Sequence, residues 1–305
     1  MHGVPNVWNA HTRTFIDAGG YFIIVGGDQP AVAKLMNMKG HKAISPCRTC
    51  RLFGCFCPHP SGKGGSYYYP LRAPNDWNAI PRYRQLRLGG HHYDAANLPL
   101  RTHANYLVHL ANIEAADNKD EAQIIYGIKG DSIFRNLSSL KFPTSFPFGM
   151  AHLVCLNVVK RLVEHATDNF ASVPNKGQPY AIPSHTWKSL SRQLAEATAT
   201  VPACYGKAFK DLSSEIGFMV SEDWLNFLLY ASEPVFATAY TSPQSKPCLE
   251  LWKLLAEVVE ESIQYSIKRK AIAEIRTKIQ KFVTEYERFV HPQYQFFQAK
   301  LTSHP

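Results

Sequence analysis

The chain has 305 residues, of which 45% are hydrophobic, and this is enough to bury one large core or two modest ones. Its 33 Lys and Arg residues exceed its 24 Asp and Glu residues, and the net charge of +9 favours polyanionic partners, nucleic acid first. No apolar run approaches the ~20 residues of a membrane span, and the seven cysteines are an odd number. We therefore expect neither a membrane protein nor a disulfide framework.

Residues 12–25 are predicted to be rich in β-structure and to end in the apolar run Tyr21-Phe-Ile-Ile-Val25. Two glycines and then Asp28 follow, so a buried strand would hold this carboxylate rigidly at its end, as metal-binding carboxylates are often held. The alternative is that Asp28 caps a short helix over residues 31–38, with Pro30 near its first turn.

Residues 40–100 are dominated by Gly, Pro, Cys, His and Tyr, and need a metal staple or a neighbouring domain to be stable. The spacing of Cys47 and Cys50 lets one turn place two thiolates on a tetrahedral zinc ion, which is half of a site. Unligated thiols and redox chemistry are the alternatives. The candidates for the remaining zinc ligands are Cys55, Cys57, His59, His91, His92 and His103.

Helical patterns dominate from Arg101 onward, and we expect a packed bundle in the C-terminal half. The helix predicted over residues 148–164 is apolar on nearly every side, which is typical of a central element. Further helices are predicted over residues 187–199, 223–230 and 249–290, after a linker over residues 171–184. Four aromatic residues are predicted to lie in the core of this half, with DNA contact as the alternative: Trp224, Trp252, Tyr265 and Tyr286.

A series of short motifs spans nearly the whole chain in a fixed order: Gly27-Asp28-Gln-Pro-Ala31, Leu35-Met-Asn-Met-Lys-Gly-His41, Ser45-Pro-Cys-Arg-Thr-Cys50, Tyr67-Tyr-Tyr-Pro-Leu71, Leu98-Pro-Leu-Arg-Thr-His103, Tyr126-Gly-Ile-Lys-Gly130, Phe142-Pro-Thr-Ser-Phe-Pro-Phe148, and His152-Leu153 with Asn157. In this order and spacing they resemble the transposases of CACTA-type (En/Spm-like) elements, in the form abundant in mushroom-forming fungi.

The resemblance implies an RNase H-like core in which three acidic side chains hold two Mg²⁺ or Mn²⁺ ions for DNA cleavage and strand transfer. Asp28 matches the second acid of the family. Cys47 and Cys50, with His103 as the best match for a later histidine, resemble a zinc-binding insertion between the second and third acids. The implied substrate is double-stranded DNA at the ends of the element, and the implied location is the nucleus.

Two departures from the family weigh against catalysis. The first acid would lie on a strand upstream of Asp28, and we expect this chain to begin too late to contain it. The third acid, a Glu, would follow His152 by four residues, and that position is Leu156, which cannot bind a cation. Glu164 lies two turns further along, about 12 Å away, too far to substitute. Gly149 also replaces an Asp of the family.

The predicted fold class is α/β: a partial RNase H-like core with a zinc-binding irregular insertion, followed by an all-α C-terminal region. Residues 1–46 and 126–170 form the two parts of this core, residues 47–125 the insertion and residues 171–305 the helical region.

Three functions remain open at this point. The first is an active transposase or endonuclease fragment, and the second is a catalytically inactive, DNA-binding derivative, which Leu156 favours. The third is a zinc-stapled protein-interaction module. For His152 we weigh a DNA-phosphate contact beside the metals against a hydrogen-bonded core histidine.

Overall fold

The computed structural model describes residues 4–40, 43–58, 65–73, 92–169, 177–202 and 206–302, without the side chains of residues 56–58, 65–66, 68 and 290–302. The chain divides into two compact units. The first unit comprises residues 1–51 and 100–148, and the second comprises residues 52–99 and 149–305. The fold is mixed α/β and mainly helical, which confirms the expected class in outline. The predicted segment boundaries at residues 47, 126 and 171 stay predictions.

The first unit combines an antiparallel hairpin with three helices, whose bounds are β1 (Val4–Asn9), β2 (Thr14–Ala18), α1 (Gln29–Leu35), α2 (His103–Ala115) and α3 (Lys119–Tyr126). Aromatic rings form much of its core. The ring of Tyr106 on α2 stacks on Phe142 with centroids 4.5 Å apart, and Phe146 lies 4.8 Å from Phe142. This packing fixes α2 against the segment that follows α3.

The apolar run over residues 21–25 is not a strand, so this part of the prediction was wrong. Tyr21 and Ile23 expose 68% and 71% of their surfaces, and the run is tied to its surroundings where the amide of Val25 donates to the carbonyl of Ser145 at 2.8 Å. Strands β1 and β2 pair only with each other among the described residues. Without a neighbouring strand an extended segment can neither pair its backbone nor bury its side chains.

The second unit has a small antiparallel hairpin and a helical bundle, with the bounds β3 (Cys55–Pro58), β4 (Gly65–Tyr68), a π-helical segment (Ala151–Val159) that continues as α4 (Lys160–Ala166), α5 (Ser184–Ala197), α6 (Leu212–Glu215), α7 (Ser221–Asn226), a second π-helical segment (Phe227–Ala231), α8 (Ser232–Ala239), α9 (Lys246–Ser262) and α10 (Arg269–Thr302). The bundle predicted for this half is therefore confirmed. Of the helices in the described parts of the chain, none has the length and apolar character needed to cross a membrane.

Buried aromatic rings hold the helical bundle together. The indole of Trp252 stacks on Phe236 with ring centroids 4.2 Å apart, and Phe227 meets both rings edge-on. Trp224 is fully buried, so the prediction that Trp224 and Trp252 are core residues is confirmed. Tyr286 is half-buried and lies against this core, where its hydroxyl is 3.2 Å from Nδ1 of the buried His165.

The single helix predicted over residues 249–290 is wrong, because α9 ends at Ser262 and α10 begins at Arg269. Two helices that fold back on each other can cover each other's apolar faces, and Val259 and Ile275 are both buried. One continuous helix would leave its apolar stripe exposed. The break exposes Tyr265 completely, so its assignment to the core is also wrong.

Candidate functional site

The Cys47–Cys50 turn wraps backbone donors around one sulfur atom. The amides of Thr49 and Cys50 each lie 3.4 Å from Sγ of Cys47 and donate to it. A side-chain hydrogen bond from Cys50 lowers the pKa of the Cys47 thiol, burial opposes this, and these amides and the positive charge of Arg101 lower it further, to about 6. These contacts favour the thiolate form of Cys47, which is the form that binds metal ions.

Arg101 connects this turn to other segments of the first unit. Its Nε donates to the carbonyl of Cys47 at 2.7 Å, and its Nη2 donates to the carbonyls of Ser45 and Tyr126, each at 2.8 Å. Its own amide donates to the carbonyl of Thr49 at 2.8 Å. One guanidinium thus joins the cysteine turn to the end of α3. Burial lowers the pKa of Arg101 to about 10, an effect that the neighbouring Cys47 opposes, so the side chain remains a cation.

The residue between the cysteines that faces inward is Arg48, which is also buried. Its Nε and Nη2 donate to the carbonyls of Phe146 and Pro147 at 3.0 and 2.8 Å, and its guanidinium lies 3.9 Å from the ring centroid of Phe148. Arg48 and Arg101 therefore both hold the cysteine turn in position. Sequence reasoning assigned no role to either, although both lie inside the motifs that define the resemblance.

Gly127 allows the cysteine segment to approach the end of α3. It ends α3 in the left-handed conformation, with φ of +72°, and a Cβ built there would lie 1.9 Å from the carbonyl oxygen of Ser45. The carbonyl of Gly127 accepts from the amide of Lys39 at 2.9 Å, and that of Ile124 accepts from Ile44 at 3.0 Å. Only glycine satisfies both the backbone conformation and the space at this position.

His103 is placed at the start of α2, directly after the helix cap formed by Thr102. Its Nδ1 accepts from the amide of Phe142 at 3.2 Å, which leaves Nε2 as the nitrogen that could bind a metal. Among the residues that the structure describes, no three or more His, Cys, Asp or Glu side chains are grouped to hold a metal ion. Within the described residues, Cys47 and Cys50 therefore form only half of a metal site.

The other predicted zinc ligands lie in the second unit or outside the description. Cys55 is buried on β3, and His92 is exposed. The side chain of Cys57 lies outside the described residues, as do His59 and His91. Their roles as ligands stay predictions.

His109 on α2 is a buried polar residue that sequence reasoning missed. Its ring stacks on Tyr126 with centroids 4.6 Å apart, and within the described residues its Nδ1 has no hydrogen-bond partner. Burial, and secondarily the positive charges of Arg51 and Arg101, lower the pKa of His109 to about 4. A signal was present in the sequence, because His109 follows Tyr106 by three residues and so shares its buried face.

Asp28 acts as a helix cap. Its Oδ1 accepts from the amide of Ala31 at 2.6 Å, and α1 begins one residue later with Pro30 in its first turn. This confirms the capping alternative and a helix close to the predicted bounds. A carboxylate is the usual group at such a position because it satisfies an amide that has no partner within the helix.

The π-helical segment of the second unit places His152 and Leu156 in different surroundings. His152 is exposed, so the alternative of a core histidine is wrong. Its carbonyl accepts a hydrogen bond from the side chain of Asn157. Leu156 packs in part against the apolar core of the bundle, and Glu164 is paired with Lys160 and Arg161.

Comparisons with known protein families, with curated proteins and with solved structures find no match for this chain. Its function must therefore be argued from its own residues.

Proposed function

We propose that this chain is a derivative of a CACTA-type DNA transposase that binds double-stranded DNA in the nucleus without cutting it. The proposal assigns it a partial RNase H-like core by descent, and it rests on the ordered motifs described above together with a net charge of +9.

Leu156 is the observation that carries the loss of catalysis. The resemblance requires a metal-binding Glu at this position, and a leucine side chain that packs against an apolar core can neither bind Mg²⁺ nor swing out without losing that packing. The carboxylate of Asp28 is meanwhile used as a helix cap. Of the three acids that two-metal strand transfer needs, the third is thus replaced by a leucine and the second caps a helix.

The residues at the cysteine turn fit a structural zinc ion. Two amides donate to Sγ of Cys47 and favour its thiolate form, and Cys50 lies three residues further along the same turn, which is the spacing of paired zinc ligands. Among the described residues no third His, Cys, Asp or Glu side chain is grouped with the two sulfur atoms, so the structure does not bring His103 to them and the remaining ligands stay open. A zinc ion bound there would staple the insertion, and Arg101 and Arg48 would fix the turn that presents the two sulfur atoms.

The test of this function is an assay for both binding and cleavage of a duplex that carries the ends of such an element. We expect binding whose log K falls with log[salt] by about 0.9 per neutralised phosphate, and no cleavage or strand transfer with Mn²⁺. Asp28→Asn should leave both results unchanged, because asparagine also caps helices and removes only the charge. Manganese-dependent cleavage that Asp28→Asn abolishes would show that the chain is an active enzyme.

Metal content provides a separate prediction. Protein purified without chelator should contain about one zinc ion per chain, and Cys47→Ser should lose it because a serine hydroxyl is not a thiolate at neutral pH. Cys248→Ala, at a buried thiol of the helical bundle, is the matched control and should keep the zinc. Elemental analysis measures both, and zinc-free wild-type protein would rule out the staple.

The exposed apolar run over residues 21–24 favours the protein-interaction module as a second candidate. The duplex assay separates the two functions. A nucleic-acid-binding protein must show steep salt dependence, whereas a protein-interaction module would show no measurable duplex binding at any salt concentration.

A further inference from the structure

The turn between α9 and α10 carries a surface with no role in the core. Residues 263–270, with the sequence Ile-Gln-Tyr-Ser-Ile-Lys-Arg-Lys, are all exposed, and we name them the α9–α10 tip. Tyr265 is fully exposed, and Ile263 and Ile267 expose 42% and 36% of their surfaces. An aromatic and two aliphatic side chains grouped on one turn form an apolar patch that the fold itself does not use.

Two of the three cations of the tip have no acidic partner among the described residues. Within the described residues, neither Lys268 nor Arg269 forms a salt bridge, and Lys270 reaches Glu274 at 3.6 Å with both side chains well exposed. By contrast, Lys278 on the same helix is paired with both Glu257 and Glu261. The cations of the tip thus remain available to a partner, whereas Lys278 is used within the chain.

The placement of these cations does not serve the stability of α10. Arg269 and Lys270 lie in the first turn of α10, which contains no acidic residue. The N-terminal end of a helix carries partial positive charge, so cations there are disfavoured by the helix itself. The buried pair Val259 and Ile275 nevertheless anchors both helices, and so the tip is presented from a fixed base.

We propose that the α9–α10 tip binds unpaired nucleic acid, with Tyr265 stacked on a base and Lys268, Arg269 and Lys270 in contact with flanking phosphates. Any base offers a flat face to a tyrosine ring, and the three cations follow Tyr265 within five residues, so stacking and phosphate contact occur together. This assignment rests on the proposed DNA-binding function and adds to it a surface that contacts an unpaired strand.

The charge of the flanking helix favours nucleic acid over an anionic membrane as the partner. Glu260, in the last turn of α9, is exposed beside the tip. A flat anionic surface that reached the cations would also approach this carboxylate, whereas a narrow strand can contact the cations alone.

The experiment titrates the full chain into a labelled 20-nucleotide oligothymidylate and follows fluorescence anisotropy at several salt concentrations. Tyr265→Ala should weaken binding about tenfold, and Tyr265→Phe should stay within about twofold because the ring remains. The double change Lys268→Gln with Arg269→Gln should reduce the salt slope by about 1.4, since each single-strand phosphate contact contributes about 0.7. The matched control is the double change Lys188→Gln with Arg192→Gln, which removes one lysine and one arginine exposed on α5. It should leave the slope unchanged.

The outcomes separate this inference from the proposed function. If the wild type binds DNA and the tip variants bind equally well, or no worse than the α5 control, the tip is not the contact surface while DNA binding stands. If the wild type binds neither duplex nor oligothymidylate, both proposals fail. If the tip variants lose affinity for phosphatidylserine vesicles but not for the oligonucleotide, the tip is a lipid contact and the inference is wrong.

Discussion

Arg101→Met is expected to lower the free energy of unfolding of the first unit by about 3 to 5 kcal/mol. The guanidinium of Arg101 donates to the carbonyls of Ser45, Cys47 and Tyr126, and the side chain is 5% exposed. A methionine fills similar space but leaves one buried and two partly buried hydrogen bonds to carbonyls unmade, and each loss at a buried group costs about 1 to 3 kcal/mol. Urea unfolding followed by far-UV circular dichroism measures the change.

A lysine cannot replace this arginine. The ammonium of Arg101→Lys is a single donor centre, whereas the guanidinium reaches carbonyls on two separate segments through two nitrogens. We therefore expect Arg101→Lys to recover less than half of the lost stability. Amide hydrogen exchange should locate the damage in residues 43–51 and at the end of α3.

The matched control is Arg135→Met, because Arg135 is exposed and its salt bridge within the described residues is with Asp131 on the surface. Its effect should stay within about 0.5 kcal/mol. If Arg101→Met is as stable as the wild type, then Arg101 does not fasten the cysteine turn and the zinc half-site must be held in some other way.

Local rules were enough to predict those elements whose cause lies within a few residues. The cap at Asp28 and the helix after it follow from neighbouring residues alone. The spacing of Cys47 and Cys50 likewise predicted a turn that presents two sulfur atoms. Each of these structures is decided by backbone groups at most four residues away.

Features that depend on distant partners could not be predicted in this way. Arg101 binds carbonyls 25 to 56 residues away, and a lone arginine in the sequence does not reveal a buried clamp. The run over residues 21–25 has strand composition, but its conformation depends on whether another strand lies beside it. The break between α9 and α10 contains neither Gly nor Pro, so only the packing of the two helices marks it.

The second large effect that we expect is loss of stability in mild acid, caused by His109 and His165. Each is 4% exposed, and burial lowers the pKa of each from 6.5 to about 4. Since the unfolded chain takes up a proton at higher pH than the fold does, the stability is complete above pH 6.5 and is lost as the pH falls towards 4. Lowering the pKa from 6.5 to about 4 amounts to roughly 3 kcal/mol of stability for each histidine.

The two histidines can be tested separately because they lie in different units. His165 touches Tyr286 and Tyr180 in the bundle, where Trp187, Trp224 and Trp252 are buried, so tryptophan fluorescence reports on its unit. His165→Gln keeps a hydrogen-bonding group for the hydroxyl of Tyr286 and removes the titration. Its urea midpoint should therefore fall much less than that of the wild type between pH 7 and pH 4.5.

His109→Phe is the sharper test, because a phenyl ring can still stack on Tyr126 and, of the two ring nitrogens that it removes, the buried Nδ1 has no hydrogen-bond partner among the described residues. We expect little change in stability at pH 7 and a gain of about 3 kcal/mol over the wild type near pH 4, where the protonated imidazole would otherwise face Arg51 and Arg101. His152→Gln is the control, since this histidine is exposed to solvent. If the wild type, His109→Phe and His152→Gln all lose stability equally in acid, then carboxylates, and not these buried imidazoles, set the acid limit of the fold.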